Sequence, residues 1–181
     1  MTHDEAAKIL AEADMLVSPA ECSEATARVA REIKARLEGQ MPLVLVVMGG
    51  AAVFAGQLLP LLDFPLEFDY VHVSRYGDKL SGGKLDWIVE PKESVQGRVV
   101  LILDDILDEG ETMAAIRNRV LALGAAQCYS VVFCEKMINK SKPLKPDFLG
   151  VTVPDRYVFG YGMDVTGLWR NLPAVYALKG S

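Results

Sequence analysis

The sequence predicts an α/β fold in which a parallel central sheet is flanked by helices. Two observations predict it. Short continuous aliphatic runs, residues 43–47 and 99–103, have the length and branching of strands buried on both faces. Each run ends in a glycine-containing turn and is followed by apolar residues at helical spacing, and strands alternating with helices in this way pair in parallel.

Taken in order, residues 4–17 and 23–37 carry apolar side chains at helical spacing (Ile9, Leu10, Ala13; Val29, Ile33, Leu37) with charges opposite, and read as two lead-in helices. Ser18-Pro19 separates them. Glu38-Gly39-Gln40 with Pro42 closes the second, because glycine accepts a C-cap conformation and proline cannot continue a helix. Residues 43–47 are then a strand, Gly49-Gly50 a turn and 51–62 a helix. Residues 66–73 and 99–103 follow as strands, then an acidic turn with Gly110, a helix over 112–123 closed by Gly124, and a strand over 128–134. Two segments break the alternation. Residues 74–86 (SRYGDKLSGGKLD) are polar and too long for an ordinary connection, which predicts a mobile hairpin or lid; 136–147, with Pro143 and Pro146, read as loop. Strand-like pieces at 148–153 and 157–159 flank Pro154-Asp155, so the C-terminal third is expected to form a small appended substructure. With no repeat, low-complexity tract or linker, residues 1–181 are expected to form one domain.

Composition removes several function classes. With 51% apolar residues and 24% charged ones, the chain is neither disordered nor a disulfide-stapled miniature. Its net charge of −5 and lack of a Lys/Arg run oppose adhesion to nucleic acid or to an anionic membrane, so any anion must be captured locally. Cys22, Cys128 and Cys134 are odd in number and set among apolar residues, as expected of free thiols in a reducing compartment. The acidic start Met1-Thr2-His3-Asp4-Glu5 has no signal pattern and no stretch is apolar enough for a membrane span; a cytoplasmic location is expected.

Ligands of a parallel α/β sheet bind beyond the carboxyl ends of its strands. The turn after residues 99–103 is the most informative, because Asp104, Asp105, Asp108, Glu109 and Glu111 place five carboxylates within eight residues, between a buried strand and a helix. Crowded carboxylates need cations or donors around them, which a merely solvated acidic turn does not explain. The second half of the turn, Asp108 to Thr112, opens a helix whose free amides and dipole can hold a phosphate without a basic side chain. Carboxylates for hydroxyls and a divalent cation, with amides for a phosphate, point to a sugar phosphate.

These residues carry a resemblance. VLILDDILDEGETM resembles the phosphoribosyl-diphosphate (PRPP) signature of the type I phosphoribosyltransferases. VMGGAAVFAGQLL from Val47, SRYG at Ser74, Arg75, Tyr76 and Gly77, Lys136, and KPDFLGVTVPDRYVFGYGMD before Arg170 narrow the likeness to hypoxanthine-guanine phosphoribosyltransferases. It runs collinearly from about Pro42 to Leu178. The resemblance implies that family's fold, with a small hood built from the terminal segments, and a magnesium-dependent transfer of a 6-oxopurine to PRPP by a homodimer or homotetramer. It puts Asp104 and Asp105 at the ribose and Mg²⁺, with Asp164 at the purine or the metal. Asp108 would handle the N7 proton, and Asp108, Glu109, Gly110, Glu111 and Thr112 would hold the 5′-phosphate. Met48, Gly49, Gly50 and Arg170 fall at the diphosphate, Lys136, Tyr157 and Val158 at the purine, and Ser74 to Gly77 on a lid to which Arg75 or Lys79 adds charge. Departures are Asp-Asp where the family has Glu-Asp, Glu109 and Glu111 in the phosphate turn, where both must point away from the anion, and Met48 where a basic residue is common. The family's non-proline cis bond would fall at Val47-Met48.

Two other readings compete. An aspartate-based, magnesium-dependent phosphotransfer protein would also place paired acids at a strand end, but leaves Tyr157, Lys136 and the ordered C-terminal motif without a role. A regulatory protein that senses PRPP would keep the fold, yet has no use for Asp108. His3 and His72 have no nucleophile beside them and read as surface or core histidines, and Trp87 and Trp169 as packing residues.

Overall fold

A computed structural model of the chain describes residues 1–75 and 85–181. Six strands form the central sheet in the order β4-β3-β2-β5-β6-β7: β2 (Leu43–Met48), β3 (Glu67–Arg75), β4 (Leu85–Val89), β5 (Val99–Leu107), β6 (Gln127–Met137) and β7 (Phe148–Pro154). Five of them run parallel, as the alternation predicts; β4 joins the β3 edge antiparallel. Helices cover both faces. On one, α2 (Pro19–Leu37) and α3 (Ala52–Leu58) bury Val29, Ile33 and Phe54 against Val44, Val46, Leu101 and Phe133. On the other, α4 (Glu111–Ala122) packs Met113, Ile116 and Val120 against Leu45, Val100 and Ile102.

The structure corrects several sequence expectations. The first lead-in helix, α1, spans only His3–Glu12, and residues 14–17 leave it as strand β1 (Asp14–Val17). Ser18-Pro19 is the start of α2 rather than a break before it: the Ser18 hydroxyl accepts from the Glu21 amide, the Glu21 carboxylate accepts from the Ser18 amide, and proline sits at N1 where no N–H is needed. The third helix stops at Leu58 and tightens into a 3-10 turn at Leu59–Leu61, around Pro60. Residues 148–154 are a parallel edge of the main sheet and not part of an appended piece. The hood is smaller and uses both termini: β1, β9 (Val175–Ala177) and β8 (Val158–Phe159) form an antiparallel sheet in that order. Thr26 on α2 is hydrogen-bonded to Tyr161 (2.8 Å), Arg156 pairs with Asp14 (2.8 Å) and Trp169 donates to the Ala6 carbonyl (3.1 Å), so the hood is fastened to the amino-terminal elements. β3 and β4 are the arms of the expected hairpin; of its lid residues Ser74 and Arg75 end β3, while Tyr76, Gly77 and Lys79 lie outside the described residues.

Candidate active site

Strand β5 continues past its aliphatic run. Asp104 and Asp105, expected in a turn, are strand residues, each only 8% exposed. Alternation turns Asp105 toward the face of Leu101 and Leu103, where its carboxylate lies so close to Gly50 that a Cβ there would overlap it. The Asp104 carboxylate accepts from the Asp105 amide (2.9 Å) and that of Asp105 from the Ile106 amide (2.8 Å). Burial pushes the Asp105 carboxyl up from its ordinary value, while hydrogen bonding with the Asp104 side chain, the Ile106 amide donor and the charge of Arg170 pull it back.

These acids form the floor of a cleft of about 370 Å³ at the carboxyl ends of β2, β3 and β5. Met48, Gly49 and Gly50 line it, together with Asp108, Gly110, Thr112 and Met113 at the amino-terminal turn of α4 and Arg170 from the segment between β8 and β9. The cis peptide lies at Met48-Gly49, one bond beyond the expected Val47-Met48. Glu109 and Glu111 do not line the cleft, and the Glu109 carboxylate is drawn to Lys140 (3.3 Å). His72 does line it, opposite Met48 in the β2–β3 register, so it is not simply a core or surface histidine. Its place at a strand's carboxyl end is the signal that could have found it.

The residues expected to meet the base sit beside the cleft. Lys136, near the end of β6, donates to the Asp108 carboxylate at 2.7 Å. This pair comes together because β5 and β6 are parallel and in register as far as Leu107 opposite Glu135. Tyr157 is nearly half exposed, with its hydroxyl donating to the Asp164 carbonyl (3.3 Å), and Val158 is buried in β8. The Asp164 carboxylate is held by Arg170 (2.6 Å) and the Gly167 amide (2.6 Å), and Arg170 also donates to the Gly162 carbonyl (2.7 Å). Asp164 thus orients Arg170. Among the described residues no three His, Cys, Asp or Glu side chains group as a metal site, and Asp104 with Asp105 is the oxygen pair at the cleft floor that suits a hard cation completing its shell from substrate and water. Cys22, Cys128 and Cys134 are buried, free, and pushed up by burial, the first two to about 11, which leaves them without thiolate chemistry.

A sheet with its acids at the strand ends, a helix N-terminus opposite and an arginine above is the architecture of a phosphoribosyltransferase. The phosphoribosyl transferase domain model matches residues 13–166, and the chain belongs to that family. Relatives within it include hypoxanthine-guanine phosphoribosyltransferases: that of Bacillus subtilis is 32% identical over 166 residues, 91% of this chain and 92% of that protein. The bifunctional protein TilS/HprT of Listeria innocua is 36% identical over 166 residues, and there the match, 91% of this chain, spans only about a quarter (26%) of the relative. Among solved structures, a hypoxanthine phosphoribosyltransferase from Staphylococcus aureus superposes with a TM-score of 0.85 at 27% identity, covering 92% of this chain and 91% of that one.

Proposed function

We propose that the chain transfers the phosphoribosyl group of PRPP to N9 of a 6-oxopurine, hypoxanthine or guanine, breaking the C1–diphosphate bond, forming the C1–N9 bond and releasing diphosphate and a proton. The observation that carries this reading is the pair formed by Asp108, which lines the cleft, and Lys136. N7 and O6 occupy one edge of a 6-oxopurine. A carboxylate beside an ammonium matches that edge: Asp108 takes the N7 proton while Lys136, which has three donors, keeps Asp108 and also donates to O6. Adenine sets an amino group against the ammonium, donor against donor, and is rejected by the cost of a buried unpaired charge.

The other groups supply binding. The first turn of α4 receives the 5′-phosphate on its amides, Asp104 and Asp105 face the ribose hydroxyls, and the 48–50 turn with Arg170 receives the diphosphate. Asp104 and Asp105 would also hold Mg²⁺, which when bound neutralises diphosphate charge. Tyr157 stacks on the purine and Val158 offers backbone groups to it, and closure over the site is the role we give to residues 74–77. We place the protein in the cytoplasm, where its free thiols stay reduced, as a homodimer or homotetramer. Purified protein with PRPP, Mg²⁺ and each of hypoxanthine, guanine, xanthine and adenine tests the reading. Nucleotide from the 6-oxopurines and none from adenine is expected; labelling by a phosphoryl donor without PRPP would replace this reading with phosphotransfer.

A further inference from the structure

Lys142 lies in the connection between β6 and β7 and is not among the residues that the sequence marks. Its side chain is 10% exposed, and its ammonium donates to the Lys136 carbonyl (2.6 Å), the Leu107 carbonyl (3.1 Å) and the Glu135 carboxylate (3.2 Å). These partners mark the fork in the sheet. The β5–β6 register ends at Leu107 opposite Glu135; from there β5 turns away through Asp108 while β6 runs on beside β7, Lys136 opposite Val153. Where the two backbones part, the ladder stops supplying donors, and one ammonium bridges a carbonyl from each side. Its charge is balanced by Glu135, as a nearly buried cation requires. The flanking residues act on the same turn: Pro143 packs on Gly110, where a Cβ would come within 3.3 Å of it, and Lys140 pairs with Glu109.

We propose that Lys142 is a positioning residue for the transfer reaction: by bridging the carbonyls of Leu107 and Lys136 it sets the separation of the Asp108 and Lys136 side chains, and so their fit to the N7–O6 edge of the purine. The inference rests on the roles given to that pair above. A catalytic group displaced by about 1 Å costs on the order of 100-fold, so partial loosening in Lys142→Met should lower kcat/KM for hypoxanthine about 10-fold, with KM for PRPP changed less than about 2-fold. A lysine that only supports the fold would lower Tm and leave that split absent.

The decisive measurement is a double-mutant cycle with Lys136→Ala. Once Lys136 has lost its ammonium, the separation that Lys142 maintains has little left to serve, and Lys142→Met should then cost less than about 3-fold. Should Lys142→Met not fold, Lys142→Arg, which keeps the charge but cannot reach both carbonyls with one nitrogen, is read in the same cycle with the same expected non-additivity. Wild-type kcat/KM in the Lys142 variant, or losses that multiply across the cycle, would overturn the positioning role alone. A wild-type protein inactive on every 6-oxopurine would overturn the reading of the site itself.

Discussion

At the residue scale, two aspartates on one strand end do opposite kinds of work. Asp108 is half exposed and held by Lys136, and the role proposed for it is to take a proton from a bound base. Asp108→Ala should lower turnover about 10²- to 10⁴-fold, the usual worth of general acid–base catalysis, with PRPP affinity by calorimetry within about 2-fold of wild type. Unchanged turnover would remove Asp108 from the chemistry. Asp105, by contrast, is buried against Gly50 with its carboxyl pushed up. A folded-state value raised above the unfolded one means that its stabilising contribution is complete at low pH and is lost as pH rises through the folded value. The ionised form of Asp105 therefore burdens the unliganded fold. Asp105→Asn, which keeps the acceptor for the Ile106 amide, should stabilise the protein by about 1 kcal/mol, ~3 °C in Tm at this chain length, while weakening PRPP binding. Melting curves across pH check the sign: the advantage should vanish in acid, and a Tm difference independent of pH would refute the burial argument.

At the scale of elements, the site depends on how closely the hood approaches the main sheet. Gly162, at φ +108°, lies against the Gly50 carbonyl and the Asp105 Cβ, so an added methyl would overlap the backbone of the 48–50 turn. Gly167 also has a positive φ, +84°, but open space around its Cβ position. Gly167→Ala should then cost the conformational price alone, about 1–2 kcal/mol, and Gly162→Ala over 3 kcal/mol together with PRPP binding, both read from urea denaturation and calorimetry. Equal costs would mean that conformation, not proximity, sets the requirement. The same distinction explains what the sequence could tell. The central strands and α4 were legible because each carries its own period or apolar run, and the acid cluster because it is contiguous. β1 was not, because Met15, Leu16 and Val17 extend the apolar pattern of α1 and become a strand only by pairing with β9, some 160 residues on. Asp104 and Asp105 read as turn because local preference weighs against buried acids in a strand, and the pairing of Lys136 with Asp108 exists only through the β5–β6 register.

For the molecule as a whole, the distribution of apolar surface bears on assembly. Among the described residues, the sheet face that α2 and α3 cover over β2, β5 and β6 is open over β3 and β4, where alternation sets Phe68 and Tyr70 on one side, exposed by 55% and 42%, and Ile88, at the register shift between the two strands, is exposed by 57%. Three large apolar side chains on an uncovered edge of the sheet form the centre of a surface suited to a second copy, since a stable interface needs an apolar core with a polar rim around it. The patch also lies on β3 and β4, and β3 lines the cleft through His72 and Val73, so a docked copy would brace these arms beside the site. Docking there would couple assembly to the cleft through β3. Ile88→Glu, which places a charge at the patch without touching the cleft, should shift the protein from a multiple of 19.8 kDa to that mass in sedimentation, and should raise KM for PRPP by about 3- to 10-fold as the arms lose their support. A variant that is monomeric yet retains wild-type KM would show that the hairpin is rigid enough alone. One that stays assembled would place the interface on another face.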